Sequence, residues 1–240
     1  TTNKSRTKLQ PEYEILDTGI FNNDEYFDIN ITYAKQNSTD IFIKIDITNR
    51  NRVAAPITVL PTLWFYNRWI YSPGNVKPAI SLLNKTAVKT EHGHLGNYYF
   101  YFQPADDRLF TENETNFSKV TGSKNKTVFT KDAFHDAIIS GTNRTKLRTK
   151  KEGTKFSPVY ELSVNAGETK TIYCRLTDQE TGDPFLNGFE NIFTLRKQEA
   201  DDFYNSILPA TISPDQKNIQ RKALAGLLWS KQFYHFDVKR

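Results

Sequence analysis

Between Phe27 and Thr48 the chain alternates apolar and polar residues with a period of two, and this constrains the fold more tightly than any other feature of the sequence. Phe27, Ile29, Ile31 and Tyr33 interleave with Asp28, Asn30 and Thr32. After a break at Gln36–Thr39, Ile41, Ile43, Ile45 and Ile47 interleave with Phe42, Lys44, Asp46 and Thr48. Successive side chains of a strand point to opposite faces of a sheet, so the pattern is that of an antiparallel pair with one buried face. The 17 Phe and 12 Tyr residues among 240 add to the preference for strands over helices.

The rest of the chain reads mostly as more strand. Ile57–Asn67 is strand-like, with Pro61 marking a bulge or an edge because proline cannot donate to a ladder. From Tyr71 to Glu91 proline and glycine break the pattern. Asn97–Gln103 carries aromatics at both parities, which predicts cover on both faces. Ala105–Gly153 has little alternation apart from a helical cue at Lys131–Ile139, and predicts a long irregular excursion from the sheet. Val159–Val164 and Thr171–Leu176 return to strand, joined through Asn165-Ala166-Gly167-Glu168 as a hairpin in which glycine takes a positive φ.

Two helices are expected to close the chain. Phe189, Ile192, Phe193, Arg196, Ala200, Phe203, Tyr204 and Ile207 fall on one helical face that ends before Pro209. Ser213, Pro214 and Gln216 form a helix start, with an N-cap hydroxyl, a proline at the first position and a glutamine to close a capping box. Ala223–Trp229 is then apolar around every side, as in a helix buried on all faces. The expected fold is mainly β: an antiparallel super-β-sandwich followed by two C-terminal helices. Residues 1–12 form a flexible lead-in and 13–186 the sandwich, with its excursion at about 105–153. Residues 187–210 form a linker helix, and 213–240 a terminal helix that needs neighbours from a longer protein.

Several function classes are disfavoured. No stretch approaches the ~18 apolar residues of a membrane span, so no membrane partner is expected. The net charge of +5 is mild, and its densest source, Arg144–Lys155, lacks the aromatics that stack bases, so no nucleic-acid partner is expected. Glycine-rich phosphate loops and nucleophile elbows are missing, and no cofactor is expected. His92 and His94 have a strand-pair spacing, but without a third ligand no metal is expected. The single Cys174 favours a reducing, cytoplasmic compartment. The Asn-x-Ser/Thr triplets at Asn3, Asn30, Asn37, Asn84, Asn113, Asn116, Asn125 and Asn143 keep secretion open as the alternative.

Candidate binding residues fall in two places. The first is the excursion, where Glu112, Asn113, Glu114 and Asp132 gather carboxylates and amides. Glu112 and Glu114 are too close in sequence to flank a sugar, and anchoring of a loop suits them better. The second is the terminal helix, where Trp229, Gln232 and Tyr234 combine aromatic faces with amide and hydroxyl groups, as saccharide sites do.

The words PTLWF (Pro61–Phe65), LFTENETN (Leu109–Asn116), KDAFHD (Lys131–Asp136), EADDFY (Glu199–Tyr204) and QRKALAGLLWSKQFYHFDV (Gln220–Val238) resemble proteins similar to glycoside hydrolase family 63, the processing α-glucosidase and mannosylglycerate hydrolase group. The resemblance runs from Pro11 onward. It implies a super-sandwich joined by linker helices to an (α/α)6 barrel, with the last word as the barrel's first helix. It also implies an inverting acid and base downstream of that helix, with no matching positions here. The expected activity of this chain alone is therefore none, with carbohydrate and the downstream barrel as partners. The alternative is a free-standing carbohydrate-binding or structural sandwich.

Overall fold

The structure, a computed structural model, describes residues 2–70, 74, 76–185 and 188–231. Among them run eleven strands: β1 Phe27–Asn37, β2 Asp40–Asn49, β3 Ala55–Val59, β4 Leu63–Trp64, β5 Ala79–Asn84, β6 Ala87–His92, β7 Gly96–Phe102, β8 Asp107–Thr111, β9 Glu152–Gly153, β10 Lys155–Val164 and β11 Thr169–Thr177. The helices are α1 Thr2–Ser5, α2 Phe117–Val120, α3 Ala133–Ile139, α4 Arg144–Thr149, α5 Phe189–Ile207 and α6 Pro214–Ser230. The chain divides into two compact units, residues 1–189 and 190–240.

The first unit is mainly β and antiparallel. One sheet has the order β1-β2-β11-β7-β6-β5-β9. In the other, β3 and β4 follow one another along one edge of β10, and β8 pairs with β10 at Lys155–Val159. The core lies between the sheets: Ile45, Ile47, Val88, Phe100, Phe102, Ile172 and Cys174 of the larger meet Phe110, Phe156, Tyr160 and Val164 of the smaller. Burial raises the Cys174 thiol to about 12 and pushes the Tyr160 phenol up too, its hydroxyl donating to the Gln103 carbonyl at 2.7 Å. A third layer covers the smaller sheet's outer face, with Phe134 and Ala137 of α3 and Leu147 of α4 packed on Leu109 and Val159.

The alternating segments do pair, with Ile29 opposite Ile47 and Ile31 opposite Ile45. Their burial differs from the sequence pattern. Ile29, Ile31 and Tyr33 stay exposed, because β1 is the outermost strand of a sheet wider than its partner. On β2, by contrast, both faces are covered. Phe42 is buried against Phe189 at 4.5 Å between ring centres, with the Arg175 guanidinium 4.8 Å from its ring. Arg175 in turn makes a bidentate pair with the buried Asp40 at 2.9 and 2.7 Å.

Three further expectations are corrected. Residues 71–91, read as a break, contain the β5–β6 hairpin, turned by Asn84 Oδ1 accepting from Thr86 N at 2.9 Å. The excursion at 105–153 begins with β8 and ends in β9, leaving only the intervening part outside the sheets. Within that part the basic run forms α4, with Arg144 bridging Asp107 and Glu161. The Asn165–Glu168 turn, with Gly167 at φ +68°, does not close a hairpin. It carries the chain from β10 in one sheet to β11 in the other, one of several connections that pass between the sheets. Pro61 behaves as expected: it interrupts the run between β3 and β4, and its carbonyl accepts from Ser157 Oγ at 3.1 Å.

The lead-in is held by local bonds, with Asn3 clamping Tyr13 through Nδ2 to O at 3.1 Å and N to Oδ1 at 2.6 Å. In the second unit, α5 and α6 form a helical pair joined by an Arg221–Asp201 ion pair, with Arg221 stacked 4.8 Å over Tyr204. The capping box at Ser213 and Gln216 forms in full. None of the α6 residues is buried, and Leu227, Leu228 and Trp229 are 67%, 73% and 80% exposed, as for an all-round apolar helix without the neighbours that its pattern calls for. A helical pair has only one face of each helix to cover with the other.

Candidate aromatic binding pocket

After β4 the chain runs from Phe65 to Trp69 with the two-residue period intact. Leu63, Phe65, Asn67 and Trp69 are half-buried, while Trp64, Tyr66 and Arg68 are exposed. The inward members are fastened one by one. Phe65 N donates to the Thr154 carbonyl at 3.2 Å, and the Phe65 carbonyl accepts from Asn113 Nδ2 at 2.8 Å. Asn67 Nδ2 donates to the Asn113 carbonyl at 3.0 Å, and Trp69 Nε1 to Glu114 Oε1 at 3.1 Å.

The fasteners are themselves fixed. Glu114 is buried, and Asn113 N donates to Thr154 Oγ1 at 2.7 Å, whose hydroxyl donates to Glu112 Oε2 at 2.8 Å. That same Glu112 oxygen holds Lys77 Nζ at 2.9 Å, securing the segment of Val76 and Pro78. A buried carboxylate with charge-assisted partners is a strong tie, because losing a partner leaves its desolvation uncompensated.

These ties frame a concave pocket of about 910 Å³, whose walls include Trp64, Phe65, Tyr66, Trp69, His92 and His94. That volume lies in the ~300–1,000 Å³ range of small-molecule sites. Trp64 is 57% and Tyr66 81% exposed, so two large rings stand in solvent on a segment whose other face is tied down. Across from them the β6–β7 turn supplies imidazoles. His92 stacks on Phe65 at 5.3 Å and 26°, and its Nδ1 accepts from the backbone N–H groups of His94 and Leu95 at 3.1 and 3.2 Å. An Nδ1 that accepts puts the ring proton of the neutral imidazole on Nε2, making His92 a donor there.

No family model matches the chain. Among curated proteins it is similar to an uncharacterized protein of Saccharomyces cerevisiae, YMR196W. The identity is 30% over 280 residues, taking in 98% of this chain and 26% of the relative. The chain thus spans about a quarter of the length of the curated relative it matches.

Of the residues singled out from sequence, Glu112 and Asn113 stand behind the pocket wall as fasteners. Glu114 joins them, as the anchoring role of the carboxylates anticipates. Asp132 is not a wall residue; it belongs to a separate cluster. It accepts from Thr130 Oγ1 at 2.6 Å, Asn116 Nδ2 at 3.0 Å and Lys119 Nζ at 2.9 Å. Burial opposes its ionisation, but those bonds outweigh burial and hold the carboxyl well below the usual carboxylate range. Trp229 lies on α6 in the second unit, and Gln232 and Tyr234 lie outside the described residues. No metal-binding group of three or more ligands occurs among the described residues, and His92 and His94 lie 6.0 Å apart between ring centres.

The sequence reading missed Trp64, Tyr66, Trp69 and His92 as a set. PTLWF is readable as a strand, but its meeting with a turn some thirty residues away depends on β5 and β6, which the prolines and glycines conceal.

Proposed function

We propose that this chain is the non-catalytic β-sandwich portion of a glycoside hydrolase acting on α-glycosidic bonds. The inverting acid and base would reside in an (α/α)6 barrel elsewhere in the polypeptide. The resemblance of the five sequence words to family 63-like proteins supports the reading, and so does a mainly β body followed by two helices. A relative about four times as long leaves ample chain for a catalytic domain.

The observation that carries the non-catalytic part is the state of the carboxylates. An inverting hydrolase needs two opposed acidic groups about 6.5–9.5 Å apart, with water between one of them and the sugar. Glu112, Glu114 and Asp132 are instead engaged in structural bonds, and the described walls of the aromatic pocket contain no carboxylate. A surface of rings and donors without a carboxylate pair suits binding better than inverting hydrolysis. The lone buried thiol of Cys174 fits a cytoplasmic protein.

The test is a comparison of the 240-residue chain with the full-length protein on short α-glucosides and on glucosyl- and mannosyl-glycerate. Hydrolysis is expected only from the full-length protein. Turnover by the chain alone, or inactivity of the full-length protein on every α-glycoside tried, would overturn the reading.

A further inference from the structure

We infer that the pocket between the Trp64–Trp69 segment and the β6–β7 turn is a binding site for a short neutral oligosaccharide. This site goes beyond the hydrolase reading, since it would act whether or not a catalytic domain is joined to the chain. Its first support is the grouping of Trp64 and Tyr66, two exposed large rings two residues apart that line one concavity together with Trp69. The second is their rigidity. Asn113 and Glu114 fix the alternate residues Phe65, Asn67 and Trp69, so the backbone that carries the two rings is set before any ligand arrives and its ordering adds little cost to binding.

The third support is the chemistry of the walls. Pyranose rings present C–H faces that lie on aromatic faces, and hydroxyls at their rims that need donors and acceptors. The pocket offers Trp64, Tyr66 and Trp69 for the former, and the Tyr66 hydroxyl, His92 Nε2–H and His94 for the latter. Alternate positions along an extended segment lie about 7 Å apart, so Trp64 and Tyr66 are spaced to meet neighbouring units of a chain rather than one ring twice. An anionic sugar is not required, because the described walls draw their polarity from neutral groups and one arginine, Arg68, which has partners of its own. Glu112, Asn113 and Glu114 are positioning residues, acting through the segments they hold.

The experiment titrates the chain with maltotriose, cellotriose, laminaritriose and mannotriose, following tryptophan fluorescence and calorimetric heat, with adenosine monophosphate as a stacking ligand that is not a sugar. At least one trisaccharide is expected to bind with millimolar or better affinity, and adenosine monophosphate more weakly. Tyr66→Ala, at an exposed position outside any strand, is expected to weaken binding at least tenfold with an unchanged melting temperature, and Trp64→Ala likewise. Val128→Ala, an exposed apolar side chain on another loop, should leave affinity unchanged. Glu114→Ala should also weaken binding, and Glu114→Gln, which keeps an acceptor for Trp69 Nε1, should recover most of it. No binding of any trisaccharide, tighter binding of adenosine monophosphate, or affinity indifferent to Tyr66→Ala would each overturn the proposal. Hydrolysis by the full-length protein is a separate readout, so failure of this site and failure of the hydrolase reading are told apart.

Discussion

Asp132 shows how a carboxylate in this chain is committed to architecture. Burial raises the cost of its charge, yet the hydroxyl of Thr130, the amide of Asn116 and the ammonium of Lys119 converge on it, and the folded-state pKa falls below the unfolded one. A depressed carboxyl pKa means that the unfolded chain binds the proton more readily. Stability from this cluster is therefore complete above the unfolded value near 3.8 and is lost as pH drops toward the folded value. Asp132→Asn should cost about 1–3 kcal/mol at neutral pH, the usual range for a partly buried charge-assisted cluster. It should also flatten the fall in melting temperature below pH 4. A variant that melts with the wild type across that pH range would show that the cluster contributes nothing. Lys119 also lies 3.5 Å from Asp136, but its ammonium is exposed and its pairings are screened by solvent, so Lys119→Ala should have a smaller effect than Asp132→Asn at neutral pH.

At the level of elements, the chain is tightly fitted where β9 crosses to β10. A Cβ added to Gly153 would fall on the backbone carbonyl of Thr111, well inside contact distance, and a backbone atom cannot swing away as a side-chain tip can. Thr154 N donates to that carbonyl at 3.1 Å and its hydroxyl holds Asn113, so a shift here would reach the pocket's fasteners. Gly153→Ala should destabilise by about 1–3 kcal/mol, as overpacking does. The urea midpoint would report it, and an unchanged midpoint would mean the crossing has slack. How much was legible in sequence follows from the same geometry. The β1–β2 pair, Pro61's interruption, the α3 cue and both terminal helices could be read, because each is encoded by neighbours within a few residues. The β5–β6 hairpin could not, since Pro78 and the Asn84–Thr86 turn obscure two strands of six residues each. Nor could the sheet to which β10 and β11 belong, since an Asn-Ala-Gly-Glu turn serves a hairpin and a crossover equally well. The anchoring role of Glu112 and Glu114 was readable from their spacing. What they anchor was not, because Phe65, Asn67 and Trp69 meet Asn113 and Glu114 only once β8 lies beside β10.

For the whole molecule, the two units differ in how they are stabilised. The first has a core of fully buried Phe102, Phe110, Phe156, Ile47 and Ile80 between two sheets. The second has a polar clasp at Arg221 and a cap at Ser213, while α6 holds no buried residue. Burying a leucine contributes about 1.5–3 kcal/mol, so Leu227 and Leu228, at 67% and 73% exposed, leave most of that unrealised. Local opening follows such differences, since segments with few buried contacts open at a fraction of the global free energy. Hydrogen exchange of the whole chain should therefore be graded. Amides of β2 and β11, paired with each other near the middle of the larger sheet, should exchange only with global unfolding. Those of α6 should exchange orders of magnitude faster, near the rate of an isolated helix of its length. If α6 were protected to the same degree as β2, its leucines would have to be covered in solution, and the contrast between the units would be wrong. If the gradient holds, α6 is the element with the most stability to gain from any surface that covers Leu227, Leu228 and Trp229. A helical catalytic domain packed there would then raise its protection without altering that of the sandwich.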